Sequence, residues 1–140
     1  MTTKLRTTAA RSAQMAKVRS RGNASTELRL ARILRAADVT GWRRHMQLAG
    51  RGRPDFVFRE SRLAIFVDGC FWHGCPICAR PLPRSNRKFW QEKISGNRAR
   101  DRRQSKQLRD QGWKVLRIWE HSFRRPEAVV LRIRNQLRVP

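Results

Sequence analysis

Apolar and polar positions alternate along the chain in two periods. After a polar stretch over residues 1–24, with a helical turn or two around Ala10 to Val18, Leu30, Leu34 and Ala37 recur at i, i+4 and i+7. That spacing predicts a helix capped by Ser25 and running to about Ala37. Trp42 to Gln47 reads as a first strand, and the Gly/Pro-rich residues 49–54 as a turn. Asp55–Phe58 and Leu63–Val67 are short apolar runs separated by the polar residues 59–62, a hairpin spacing. A polar helix is predicted from about Lys88 to Asp110, stopped by Gly112. Trp113–Trp119 alternates apolar and basic residues as a strand does, and Pro126 opens a last helix to about Leu137.

The resulting order is α-β-β-β-α-β-α. A strand, a long helix and a strand between residues 63 and 119 form a crossover connection, which makes those two strands parallel. The expected architecture is an α/β fold, a mixed central sheet of about four strands flanked by helices. A chain of 140 residues fits one domain, expected over residues 25–140 behind a flexible basic arm at 1–24. With 39% apolar residues and five tryptophans it is not a disordered basic tail.

Charge changes the picture most. Thirty-three Lys and Arg face ten acids, a net charge of +23. Such an excess repels itself in the folded state and makes sense beside a polyanion, where each phosphate contact releases counterions. Nucleic acid is therefore the expected partner. A membrane surface fits less well, because no apolar run approaches about 20 residues and no basic stretch has a broad apolar face. The N-terminal residues lack the apolar region of a secretory signal, so a reducing cytoplasmic location is expected.

All three cysteines lie in one loop, Cys70, Cys75 and Cys78, directly after the strand at 63–67. An odd, clustered set in a reducing compartment points to metal and not to disulfides. Structural zinc wants four ligands, and His121, just past the strand at 113–119, is the best remote candidate, because two parallel strands end on the same sheet edge. His73 competes for that place, and unliganded or redox thiols are the plainer alternative. Asp55 opens an apolar strand, where a carboxylate is costly unless it meets a cation or N–H groups. A hard cation such as Mg²⁺ would use it; a turn residue before the strand is the plainer reading. Glu27 reads either as a second acid of that site or as a first-turn acid that suits the helix dipole. Asp68 ends the neighbouring strand and faces the same region in this expectation, with His73 a candidate general base or phosphate contact. Phe71 and Trp72 are rings that either pack over the zinc loop or wedge between bases.

The segments GRPDFVF, IFVDGCFWHGC, FWQEKI with a downstream Asn-x-x-x-Asp, and GWKVLRIWE, in this order and spacing, resemble the bacterial very short patch repair endonucleases. The resemblance extends over about residues 8 to 137. It implies a restriction-endonuclease-like fold and an enzyme that nicks double-stranded DNA 5′ of the thymine in a T·G mismatch left by deamination of 5-methylcytosine. By the same resemblance Asp55 is the central Mg²⁺ ligand, Val67 lends its backbone carbonyl to the ion, and Glu27 acts on it through water. His73 is the general base or phosphate contact. Cys70, Cys75, Cys78 and His121 match structural Zn²⁺ positions. Phe71, Trp72 and Trp90 resemble an aromatic wedge entering from the major groove, Met15 an apolar residue entering the minor groove, and Lys93 and Asn97 residues facing the mismatched pair. Mismatch-repair proteins and a DNA polymerase are further partners on this reading, and a monomer suffices for an asymmetric mismatch. The chain departs from the pattern at Asp68, where the best-known members carry a second active-site histidine; an extra metal ligand is one role open to it. Two rivals remain: a nuclease of the same fold with another DNA specificity, in a restriction or defence system, and a zinc-stabilised DNA-binding module without catalysis.

Overall fold

A computed structural model of the chain describes residues 26–48, 52–71, 73–78 and 81–138; the basic arm and the Ser25 cap lie outside them. A first helix, α1, covers residues 26–36. Four strands follow in one sheet: β1 (Trp42–Arg44), β2 (Phe56–Phe58), β3 (Leu63–Asp68) and β4 (Lys114–Trp119). They lie side by side in chain order, with β1, β2 and β3 antiparallel and β3 parallel to β4. The crossover between β3 and β4 is helix α2 (Arg87–Asp110), and a short 3-10 helix (Glu120–Arg124) leads into α3 (Pro126–Arg138). The mixed sheet and the element order agree with the pattern in the sequence.

Period-two alternation decides what each face of the sheet meets. Leu63, Ile65 and Val67 of β3 join Phe56, Phe58 and Ile118 in a core closed by Leu30 and Leu34 of α1 and by Val129 and Ile133 of α3. On the other face Ala64 and Phe66 pack with Leu108 of α2, Trp113 and Val115. Two differences from the expected boundaries have local causes. The first strand stops at Arg44, short of Gln47, because His45 takes a left-handed backbone (φ 54°) that breaks the ladder. The second begins at Phe56, although Asp55 still donates its N–H to the Ile65 carbonyl at 2.9 Å.

The cysteine loop is held against α2. Gly74 has φ +63°, and a Cβ there would come within 2.8 Å of Ile94 Cγ2, so the loop approaches the helix only because this residue has no side chain.

Candidate active site

The end of the sheet where β3 and β4 terminate carries both groups of chemical residues. Asp68 is in register with Trp119, so Cys70 and His121 each stand two residues beyond a paired position. The His121 Nδ1 lies 3.4 Å from Cys70 Sγ, 3.6 Å from Cys75 Sγ and 3.4 Å from Cys78 Sγ. Zn–S bonds of about 2.3 Å and a Zn–N bond of about 2.0–2.1 Å in a tetrahedron place sulfur and nitrogen about 3.6 Å apart. The four donors thus fit zinc. Burial pushes the Cys70 thiol up to about 12, with the neighbouring Cys78 and Cys75 adding to it, whereas at Cys75 burial is outweighed by the backbone N–H groups of Cys78 and Ile77, which bring the thiol down. His73 is not among these donors.

A cleft of about 330 Å³ opens beside the zinc seat, lined by Glu27, Asp55, Val67, Asp68, His73, Lys93 and Asn97 among others. At one end Asp55 Oδ2 accepts the Val67 N–H at 2.7 Å. Burial pushes the Asp55 carboxyl up to about 7, against the pull of that N–H, and Glu27 and then Asp68 add repulsion. Glu27, buried on α1, accepts from Arg44 Nη2 at 2.8 Å and meets the ring of His45 through a short contact. Glu27, His45 and Asp55 have one donor atom each within 4.8 Å of one another, a set able to hold a cation. The Val67 side chain points into the core on the opposite face, which leaves its backbone as the part available to the cleft.

At the other end His73 Nδ1 is 2.5 Å from Asp101 Oδ2. A carboxylate accepts, so Nδ1 carries the hydrogen and Nε2 is the ring nitrogen that can accept a proton. Asp68 is buried and engaged differently: both its oxygens accept from Arg117 Nη1, at 3.0 and 3.2 Å, and His73 Nδ1 is 3.9 Å away. Burial raises its carboxyl above the usual range, with the Arg117 charge opposing. Asp55 and Asp68 therefore share one cleft but sit in two different donor sets.

Phe71 and Trp90 meet edge to face with centroids 5.7 Å apart, and Phe89, 56% exposed, meets Trp90 at 5.1 Å. Lys93 and Asn97 follow one and two turns along α2; Asn97 is buried and accepts from Arg100 Nη2 at 2.7 Å. Met15 and Trp72 lie outside the described residues.

Reading the sequence missed Arg44, His45 and Arg117, and gave Asp101 no role. A signal for two of them was present. Asn97, Asp101 and Ser105 recur every four residues and are followed by Leu108, a small polar stripe in a helix otherwise dense in Lys and Arg. Arg117 falls in phase with Val115 on the strand face that looks toward that helix.

A mixed four-stranded sheet with a group of three cysteines and a histidine, and a cleft holding four acids, on the edge where its parallel pair ends is compatible with a restriction-endonuclease-like fold. Within that class the chain belongs to the DNA mismatch endonuclease Vsr family, whose family model matches residues 3–79, more than half of its length. It is 45% identical over 78 residues to the DNA mismatch endonuclease Vsr of Escherichia coli, covering 56% of this chain and 50% of that one. The type II nicking enzyme V.XorIIP of Xanthomonas oryzae is 43% identical over 86 residues (61% and 63%), and V.NaeI of Lentzea aerocolonigenes 46% over 69 residues (49% and 41%). The matches span between 41% and 63% of these relatives. The family match ends at residue 79, short of the extent to about 137 that the motifs suggest.

Proposed function

We propose that this protein is a cation-dependent DNA endonuclease that nicks one strand of duplex DNA 5′ of the thymine in a T·G mismatch. The observation that carries the reading is the pairing of two unlike groups in one cleft of a strongly basic protein: the Asp55/Glu27 carboxylates at one end and the His73/Asp101 pair at the other. Asp55, Glu27 and the backbone of Val67 are the groups that would hold Mg²⁺, which supplies Lewis acidity and positive charge at the scissile phosphate. Asp101 fixes the tautomer of His73, and Nε2 takes a proton from the attacking water. The water oxygen bonds to phosphorus as the bond to the 3′ oxygen breaks, leaving a 5′ phosphate and a 3′ hydroxyl. Lys93, Arg100 and Arg53 line the same cleft and oppose the phosphate charge. Cys70, Cys75, Cys78 and His121 would hold a structural Zn²⁺ that ties the wedge-bearing loop to the end of β4.

Mismatch recognition is supported by the family and by Phe71 and Trp90, rings suited to enter a stack where pairing is weak. The relatives named as type II nicking enzymes favour a second reading, the same nicking chemistry with a different preferred site. Paired duplexes that differ only in T·G against T·A decide between them. Nicking of the T·G duplex alone is expected; equal nicking of both would leave a nuclease without mismatch specificity, and no nicking of either would favour a DNA-binding module.

A further inference from the structure

Asp68, His73 and Asp101 form a second group of donor atoms within 4.8 Å of one another, in the same cleft as Asp55 and Glu27. Two acids and an imidazole so placed would by themselves suit a second divalent ion. A cation already sits among them. Arg117 enters from β4, and its Nη1 donates to both Asp68 oxygens at 3.0 and 3.2 Å and lies 3.7 Å from Asp101 Oδ1. Its Nη2 donates to the Asp101 carbonyl at 3.0 Å and its Nε to Ser105 Oγ at 2.8 Å. The guanidinium carbon stands 4.1 Å from the centre of the Phe66 ring.

We propose that the guanidinium of Arg117 fills the cation seat formed by Asp68, His73 and Asp101, so that the protein itself offers one divalent-ion site in the cleft and not two. The inference rests on the reading of Asp55 and Glu27 as that one site. A guanidinium is charged at every working pH and its planar fork matches a carboxylate, so the occupancy is permanent. Three independent anchors, on the end of β3, on α2 and on the Phe66 ring, fix its orientation. A small divalent ion needs carboxylate oxygens at about 2.0–2.1 Å in near-octahedral array, and the lone pairs of Asp68 already point at Nη1. Placing two further positive charges beside a fixed one in a half-buried site is unfavourable as well. Arg117 and Asp68 are on this account positioning residues: they hold Asp101 where it orients His73, and Arg117 contributes a fixed positive charge to the cleft.

Counting bound Mn²⁺ tests this on the full-length, zinc-loaded chain without DNA, using the electron paramagnetic resonance signal of the free ion. The wild type should bind one Mn²⁺. Asp55→Asn should lose it and Asp101→Asn should keep it. Arg117→Met should bind two, the second disappearing when Asp101→Asn is added, while Arg117→Lys, which keeps the charge, should stay at one. Zinc content of one per chain reports that each variant is folded. Loss of an ion from the wild-type background by Asp101→Asn, or a folded Arg117→Met that still binds one, overturns the inference. Should Arg117→Met fail to hold zinc, the Asp101→Asn comparison decides alone. An ion that survives both Asp55→Asn and Asp101→Asn counts instead against the Asp55 site.

Discussion

Asp55 is where burial and chemistry pull in opposite directions. Its folded value, about 7, lies above its ordinary 3.8, so what this carboxyl contributes to stability is fully present below about pH 3.8 and is lost as pH rises through 7. Above that, a bare carboxylate stands buried beside Glu27. In buffer without Mg²⁺, Asp55→Asn should therefore gain on the wild type as pH rises, the gap changing between about pH 4 and pH 8 by at most about 4 kcal/mol at 1.36 kcal/mol per unit. Melting temperatures of the two proteins across that range check it, and Mg²⁺ at pH 8 should narrow the gap by stabilising only the wild type. A gap that does not change with pH means the carboxyl is not held as described. The same variant should not nick, yet should bind mismatched DNA as well as or better than the wild type, because one negative charge near the phosphates is gone. Glu27 differs: it accepts from Arg44 and meets His45, so its removal strands two basic groups as well as altering the cation site.

At the scale of elements, the parallel pair β3 and β4 organises the Cys/His cluster, because its two strands end together and hand the chain to the cysteine loop on one side and to His121 on the other. That pairing is legible in the sequence alone: a strand, a long helix and a strand impose parallel neighbours, and three clustered thiols ask for a fourth ligand. What is not legible there has physical reasons. The left-handed turn at His45 carries no glycine to announce it, so the residue pattern suggests a longer strand than forms. Arg117 reads as one more member of an alternating apolar and basic strand, and nothing local says that one basic residue is half-buried in a salt bridge with Asp68, 49 residues away in sequence. Asp55 and Asp68 flank adjacent strands, yet in β3 the side chains of 67 and 68 leave on opposite faces, and Arg117 claims the second acid. The zinc seat gives this scale its test. Structural zinc contributes directly to folding energy, so Cys75→Ala should lose the metal and melt at a markedly lower temperature. Elemental analysis and thermal unfolding check both. A Cys75→Ala protein with unchanged melting would show that the loop is held by its contacts with α2 alone.

At the scale of the whole molecule two kinds of DNA contact must be told apart. A net charge of +23 guarantees attraction to any duplex, and that attraction falls steeply with salt whatever the sequence. Discrimination has to come from groups whose energy depends on how the bases are paired. On the proposed reading the aromatic group formed by Phe71, Phe89 and Trp90 would be such a group, with Phe89 largely exposed and both phenylalanine rings meeting Trp90 edge to face. Insertion costs a few kcal/mol of unstacking, least where pairing is already weak, and is recovered in contacts to bent DNA. Trp90→Ala and Trp72→Ala should each reduce the preference for T·G over T·A duplex while leaving the slope of affinity against salt nearly unchanged. A substitution of Arg53, which lines the cleft, should do the reverse, lowering affinity for both duplexes and flattening the slope by about one counterion. Binding of both duplexes followed by fluorescence anisotropy through a salt series separates the two effects. If the tryptophan variants keep the full T·G preference, the rings serve only to pack the zinc loop against α2, and the mismatch must be read by the polar residues of the cleft, with Asn97 the first to examine.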